Sequence, residues 1–383
     1  MTKIPLLLSA GESSGDMYAA QLATALKQRL DVSIFGMGGP RMHAAGVEVL
    51  TDYSEVSVVG ITEILTHLPS LVRAMRRLVT ESARQKPLFA ILTDFPGFHL
   101  RLARKLRRQG VRNIYYVCPQ FWAWRPWRVR VVRRRFEQAL CIFPFEEKFY
   151  GDAGVPVKFI GHPLVGNVRA SQSRDAFCTE HGLNSASPVV TILPGSRHGE
   201  LAQHMPVLRE ACRLIQRELA AVQFVIAATP GSDVAELRDG WPLGLSLRVV
   251  VDQTYNALAA ADAAVISSGT ATVEAALLDV PMVVIYRVTS LTALLAKPLL
   301  RTSCFSMVNL IAERHLVPEL IQQDFTPDRV ASEVLRLLRD PQARDELRAG
   351  LADVRQRLGP PGAVERAADT IADMLRASAG NAF

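Results

Sequence analysis

Carboxylates and arginines placed where apolar runs give way to small residues are where this sequence could do chemistry. In Thr93-Asp-Phe-Pro-Gly-Phe-His99 the aspartate closes the apolar run Leu88–Thr93. A lone carboxylate at a strand end can serve as a general base; a turn-forming aspartate before Pro96-Gly97 is the competing reading. In Leu193-Pro-Gly-Ser-Arg-His-Gly-Glu-Leu201 another strand runs into Gly195, Ser196 and Arg197, with Glu200 in the first turn of a helix. A guanidinium there can neutralise a diphosphate leaving group, or simply pair with a neighbouring acid. Ser267-Ser-Gly-Thr-Ala-Thr-Val-Glu274 has the same form. Unspent N–H groups at Gly269–Thr270 would suit phosphate, and Glu274 would face ribose hydroxyls, as acidic residues do in other nucleotide folds. A plain strand-to-helix turn is the alternative. Ser9-Ala-Gly-Glu-Ser-Ser-Gly-Asp16 is a fourth junction. Glu12 would repel phosphate, so Glu12, Ser13, Ser14 and Asp16 read as a cradle for sugar hydroxyls or as helix caps.

The elements that must hold these loops alternate between short apolar strands and amphipathic helices. Strands are expected at Ile4–Ala10, Val32–Met37, Leu88–Thr93, Asn113–Cys118, Ala139–Phe143 and Val157–Ile160, and again at Val189–Leu193, Gln223–Ala228, Leu247–Val251, Ala263–Ser267 and Met282–Tyr286. Helical spacing covers Asp16–Arg29, Leu100–Gln109, Glu200–Ala220, Thr254–Ala261, Thr272–Leu278, Pro327–Arg339 and Ala343–Ala377. Nearly continuous apolar strands alternating with helices predict parallel sheets covered on both faces. The α/β chain therefore reads as two Rossmann-like domains facing a cleft, 1–167 and 168–355. Residues 356–383 end the chain in helical spacing and a frayed tail. Gly161–Asn167 is the linker.

The 383 residues carry a formal charge of +7, concentrated in one stretch. From Arg73 to Arg135 seventeen lysines and arginines face only Glu81 and Asp94, so the rest of the chain is net negative. Three of the four tryptophans lie in Pro119–Arg135 among six arginines. A solvated basic face, a nucleic acid and an anionic membrane all fit such a field. No run reaches the ~18–20 apolar residues of a membrane helix, and Ile4–Ala10 is too short for a signal segment. The five cysteines are odd in number, lack CxxC spacing and read as reduced core residues of a cytosolic protein. No D-x-D, HExxH, GxxxxGK or GxSxG occurs, and Gly36–Pro40 lacks the third glycine of a dinucleotide loop.

Taken together, Gly11–Asp16, the Asp94-Phe-Pro segment, Trp122-Ala-Trp-Arg125, Gly161-His-Pro163, Leu193–Arg197 and Ser268–Thr272 with Glu274 resemble, in order, the motifs of lipid-A-disaccharide synthases. Leu291–Lys297 and Asn309–Leu320 extend the likeness over nearly the whole chain. The resemblance implies a GT-B inverting glycosyltransferase without an obligate metal or other cofactor, in which the C-terminal helix within 356–383 returns to the first domain. It implies transfer of 2,3-diacylglucosamine from UDP to 2,3-diacylglucosamine 1-phosphate, giving a β-1,6-linked disaccharide and UDP. It also implies a cytoplasmic protein peripheral to the inner face of the membrane, with no nucleic-acid partner; a homodimer is left open. Asp94 is then the expected base, with Glu12 and Asp16 as weaker candidates. Gly195, Ser196, Arg197, Gly269, Thr270, Glu274 and Asn309 are expected on the donor side. Glu12, Ser13, Ser14, Asp16, Trp122 and Arg125 are expected on the acceptor side. Membrane contact falls to Arg128 and to Ile61–Val79, where Leu65, Leu68, Leu71, Val72 and Met75 make an apolar stripe beside Arg76; an ordinary core helix is the alternative. His99, Gly166 and Val308 depart from the family pattern. A different GT-B enzyme acting on UDP-sugars, a lipid N-acetylglucosaminyltransferase or a sugar epimerase, is the main rival; a non-enzymatic RNA-binding protein is the other.

Overall fold

A computed structural model describes residues 3–56, 64–123, 125–289 and 304–380. Trp124, the segment Leu291–Lys297, the end of the C-terminal tail and the side chain of Leu65 lie outside what is described. The chain divides into two compact units, one of Met1–Pro163 with Gly359–Phe383, the other of Leu164–Leu358.

In the first unit the order is β1 (Ile4–Ala10), α1 (Ser13–Arg29), β2 (Val32–Gly38), α2 (Pro40–Ala44), β3 (Glu48–Asp52), α3 (Ile64–Gln85), β4 (Phe89–Thr93), α4 (Pro96–Arg107), β5 (Arg112–Tyr116), α5 (Val129–Arg135), β6 (Gln138–Cys141), α6 (Pro144–Asp152) and β7 (Val157–Phe159). The strands form one parallel sheet in the order β3-β2-β1-β4-β5-β6-β7. Its central strands are sealed on both faces: every residue of β4 is buried. That is why these strands read as unbroken apolar runs rather than as alternation. β3 escapes a sequence reading because it is short and edge-lying, with Glu48 exposed.

The second unit continues with α7 (Arg174–Glu180), β8 (Val189–Leu193), α8 (His198–Glu218), β9 (Gln223–Ala228), α9 (Val234–Arg238), β10 (Leu247–Val251), α10 (Thr254–Ala259), β11 (Ala263–Ser267), α11 (Ala271–Leu277), β12 (Met282–Tyr286), α12 (Met307–Ala312), β13 (Glu319–Ile321), α13 (Pro327–Arg339) and α14 (Pro341–Arg357). Its parallel sheet has the order β10-β9-β8-β11-β12-β13. β13 is a three-residue edge strand, too short for periodicity to show.

The helical spacing over Ala343–Ala377 is two helices, not one. Gly359-Pro-Pro-Gly362 separates α14 from α15 (Ala363–Gly380), and both glycines sit at positive φ, 83° and 91°. Proline cannot continue the helix and glycine takes the left-handed turn. α15 belongs to the first unit and lies along α1. Ala367, Ala368, Ile371 and Leu375 are buried on its side; Ala19, Leu22, Ala23 and Leu26 are buried on α1. The alanines let the two backbones come close. Arg29 to Asp369 (2.6 Å) and Lys158 to Thr370 (2.9 Å) dress the edges. Exposed pairs of that kind add little, so the apolar seam carries the attachment. Ile371→Ala is expected to cost about 2–5 kcal/mol, the range for a truncated buried aliphatic, read as a loss in urea stability of the first unit.

Candidate active site

In an open parallel sheet the loops leaving two neighbouring strands splay apart where the strand order reverses, and the crevice outside their carboxyl ends receives ligand. The first sheet reverses between β1 and β4. The loop after β1 begins Gly11-Glu12 and the loop after β4 begins Asp94-Phe95. The second sheet reverses between β8 and β11. There the loops are Pro194–Arg197 and Ser268–Thr270. The two strongest pairs of sequence motifs thus sit at the two switch points.

At the first, Asp94 and Phe95 both adopt left-handed backbone, φ 51° and 43°. Left-handed geometry is tolerated by aspartate but is costly for phenylalanine. Phe95 lies across Gly11, where a Cβ would fall 2.2 Å from the ring. Glycine at position 11 is therefore the condition for this turn. Val117 and Arg125, in the loop after β5, are also left-handed. Asp94 is half-buried. Burial pushes its carboxyl up to about 7, the nearby Glu12 charge adds to the rise, and the Phe95 N–H partly offsets it. A carboxyl held there gains and loses its proton near neutrality, the range in which a general base works.

Glu12 is exposed at the N-cap of α1, and Ser13 and Ser14 are exposed in its first turn without capping it. Asp16 does something else. It is buried, its Oδ1 accepts from the N–H of Gly39 (2.7 Å) and Met42 (3.1 Å), and its Oδ2 accepts from Arg41 (3.1 Å). It caps α2, so the expectation of acceptor contact or base catalysis by Asp16 is corrected: its carboxylate is spent on backbone donors.

Trp122 is half-buried and donates its Nε1–H to Glu146 (3.2 Å), with its ring edge-on to Phe145 at 4.9 Å. Glu146 of α6 is fully buried, and burial pushes its carboxyl up to about 8 against the pull of Trp122 and the Phe143 and Ile142 backbone. It was invisible in the sequence because nothing local marks a glutamate in the first turn of a helix as buried. Arg125 is half-buried in the same loop.

At the second switch point Gly195 has φ 113°, and a Cβ would meet Glu200 Oε2 at 2.5 Å. Arg197 is the N-cap of α8, largely exposed, and its guanidinium pairs with Glu200 at 3.1 Å. Beside a Cβ on Gly269 nothing lies within 4 Å. Among the described residues the N–H groups of Gly195, Ser196, Gly269 and Thr270 donate to no acceptor. Two loops of unspent donors beside an arginine suit an anion. Glu274 is half-buried one turn into α11; burial raises its carboxyl and the Tyr255 hydroxyl, donating at 3.1 Å, holds it down.

His204 was missed by sequence reasoning. Its Nδ1–H donates to the Pro194 carbonyl (2.7 Å), and its Nε2 accepts from the Arg287 N–H (2.9 Å). A carbonyl can only accept and an N–H can only donate, so the ring is a neutral tautomer bracing the Pro194–Arg197 loop. Asn309 is also corrected. Its Nδ2 donates to the Val317 carbonyl and Glu319, and its Oδ1 accepts from the N–H of Leu316 and Val317. The amide is fully used in shaping the 304–319 loop, leaving nothing for a donor substrate.

The stripe on α3 divides. Leu71 and Met75 pack on the core with Ala74 and Leu78, while Leu68 (52% exposed) and Val72 (41%) face outward among Arg73, Arg76 and Arg77. Leu71 and Met75 are therefore half-buried against the core, the core-helix reading that the sequence also allowed; a helix of 3.6 residues per turn puts 71, 74, 75 and 78 on one face.

An aspartate titrates near 4 in an unfolded chain but at about 7 here. The folded state binds this proton more tightly, so its contribution to stability is complete below about pH 4 and is lost as pH rises through about 7. Asp94→Asn is expected to stabilise the protein at pH 8 by on the order of 4 kcal/mol and to leave it unchanged near pH 4. Urea titration at the two pH values checks this; equal stability shifts at both would contradict it.

The family model for lipid-A-disaccharide synthetase matches residues 6–367. The lipid-A-disaccharide synthase of Solibacter usitatus is 46% identical over 97% of both chains, and that of Myxococcus xanthus is 42% identical over 98% of this chain and 99% of its own. Among solved structures, a putative UDP-N-acetylglucosamine 2-epimerase from Listeria monocytogenes superposes with a TM-score of 0.65 at 12% identity, covering 99% of this chain and 98% of its own. The glycotransferase of kitacinnamycin gives 0.62 at 16%, covering 97% and 99%. These neighbours establish the two-domain GT-B fold. The matches that span nearly every residue from β1 to α15 go further, and by them the chain belongs to the lipid-A-disaccharide synthetase family of glycosyltransferases.

Proposed function

We propose that the chain transfers 2,3-diacylglucosamine from its UDP donor to the 6-hydroxyl of 2,3-diacylglucosamine 1-phosphate, forming a β-1,6-linked disaccharide 1-phosphate and UDP. The observation that carries the mechanism is Asp94, with its carboxyl raised to about 7 at the β1/β4 switch point. It accepts the hydroxyl proton as the oxygen attacks the anomeric carbon. The bond from that carbon to the UDP oxygen breaks, the electron pair leaves with UDP, and the configuration inverts. Such a base is worth about 10²–10⁴-fold. Arg197 and the N–H groups of Gly195, Ser196, Gly269 and Thr270 take up the diphosphate charge, and Glu274 accepts from the ribose hydroxyls. Glu12, Ser13, Ser14, Trp122 and Arg125 serve the acceptor.

Both substrates are acylated, and the first unit has a surface suited to the anionic cytoplasmic leaflet. Trp127 is 61% exposed with the Arg128 guanidinium 5.5 Å from its ring. It borders a hollow of about 770 Å³ with Val129, Arg130, Arg133, Arg134 and Phe149. Arg104, Arg107, Arg108, Arg134 and Arg135 line a second hollow. None of these five forms an ion pair among the described residues. Tryptophan suits the membrane interface, and unpaired arginines attract lipid phosphate at about 1 kcal/mol each. On this reading the protein is peripheral to that leaflet.

The test is product analysis with detergent-solubilised UDP-2,3-diacylglucosamine and 2,3-diacylglucosamine 1-phosphate, with and without EDTA. Disaccharide 1-phosphate with stoichiometric UDP is expected, and kcat/KM should fall tenfold per unit below about pH 7 as Asp94 protonates. Asp94→Asn and Arg197→Ala should each lose at least about 10²-fold. UDP release without disaccharide would overturn the acceptor assignment. On vesicles containing a fifth phosphatidylglycerol, Arg104→Gln with Arg108→Gln should weaken sedimentation about tenfold at low salt and leave turnover in detergent unchanged.

A further inference from the structure

His99 is fully buried one turn into α4, and the catalytic scheme above does not use it. Its Nδ1 lies 2.8 Å from the carbonyl oxygen of Asp94, and its Nε2 lies 2.8 Å from Ser9 Oγ on β1. The carbonyl can only accept, so Nδ1 carries the hydrogen. In a neutral ring Nε2 is then the acceptor and the Ser9 hydroxyl donates to it. The Tyr115 hydroxyl of β5 donates to the same Asp94 oxygen, also at 2.8 Å. Both lone pairs of that carbonyl are thus occupied by side chains from two different elements.

This arrangement decides where the carboxylate stands. In a trans peptide the C=O and the next N–H point in opposite directions. Two donors drawing the Asp94 carbonyl inward turn the Phe95 N–H the other way, and that N–H is the influence that holds the Asp94 carboxyl down against burial. Asp94 and Phe95, on either side of that peptide, both sit in the left-handed region, φ 51° and 43°. A strained pair of residues persists only when its surroundings over-determine it. We propose that His99, together with Tyr115, is a positioning residue for the general base: by gripping the Asp94 carbonyl it imposes the left-handed turn that presents the carboxylate. The proposal rests on the reading of Asp94 as base.

The polar and titratable groups facing the imidazole are the Ser9 hydroxyl from β1, the Thr93 backbone at the end of β4, the Tyr115 phenol from β5 beyond the shared carbonyl, and Asp94 itself. The rings of Phe98 and Phe95 stand 5.7 Å and 5.9 Å from it. Burial pushes the imidazole down to about 4, so it stays neutral through the working range and its grip does not change with pH. An asparagine amide could also donate to the carbonyl, which makes His99→Asn the conservative variant.

The full-length chain is assayed for UDP release from the two acylated substrates between pH 5 and 9, as wild type, His99→Ala, His99→Asn, Tyr115→Phe and Asp94→Asn. His99→Ala is expected to lower kcat by about 10–100-fold, with donor KM within about threefold, because a misaligned base loses transition-state rather than ground-state interactions. Its acid limb should move down from about pH 7 by a unit or more as the carboxyl gains water. His99→Asn should recover kcat to within about fivefold and return the limb. A folded His99→Ala protein with normal kcat, or one whose loss is uniform across pH with the limb in place and no rescue by Asn, overturns the proposal. Where His99→Ala fails to fold, Tyr115→Phe decides: a drop of about 3–10-fold with a lower limb supports the grip, and unchanged kinetics overturn it. Normal turnover by Asp94→Asn would remove the base assignment and the proposal together. An inactive Asp94→Asn beside normal His99→Ala and Tyr115→Phe would remove the positioning role alone.

Discussion

The reversal of strand order in each parallel sheet is the constraint on which the rest depends. Between β1 and β4, and again between β8 and β11, adjacent strands send their connections in opposite directions. No crossover helix can cover the point between them. The backbone groups and side chains leaving those four strands are therefore the ones that remain open to ligand. Gly11, Asp94, Arg197 and Gly269 all fall within a few residues of such a strand end. Their chemistry differs, an elevated carboxyl at one switch point and unspent N–H donors with an arginine at the other, but the cause of their placement is the same.

Each crevice is held in shape by a buried neutral histidine that bridges the strand-end loop to a neighbouring element. His99 ties the loop after β4 to β1 through Ser9, and His204 ties the loop after β8 to the end of β12 through Arg287. An imidazole suits this task because it offers one donor and one acceptor on opposite sides of a rigid ring. The cost is desolvation, which is tolerable only while the ring remains uncharged. Asp94 shows the opposite balance. Its ionised form is disfavoured by burial and by Glu12, so stability is lost where that carboxyl must carry its charge.

The two units also treat charge differently. In the second, arginines 174, 213, 336, 355 and 357 pair with acids on their own or adjoining elements. Along α4 and α5 of the first, the arginines gather without acids. Like charges held together in the free protein raise its energy, and an anionic partner relieves that repulsion. Exposed Leu68, Val72 and Trp127 supply apolar surface of the kind a lipid interface accepts.

The sequence by itself determined the strands and the loops that end them. A buried parallel strand must be apolar throughout, and the change to small and charged residues marks where it reaches solvent. It therefore also revealed Asp94, Arg197 and Glu274 as residues at strand ends or early in helices, and motif order revealed the family. Tertiary structure alone decided which polar residues at those loops are free. Asp16 is spent on N–H groups 23–26 residues away, and Asn309 on the backbone of its own loop, though both look like ligand contacts in the chain. It also divided the α3 stripe, sending Leu71 and Met75 inward while Leu68 and Val72 stayed out. Finally it set the partners of His99, Glu146 and His204. A hydrogen bond is fixed by distance and direction in space, and neither is written in the spacing of residues along the chain.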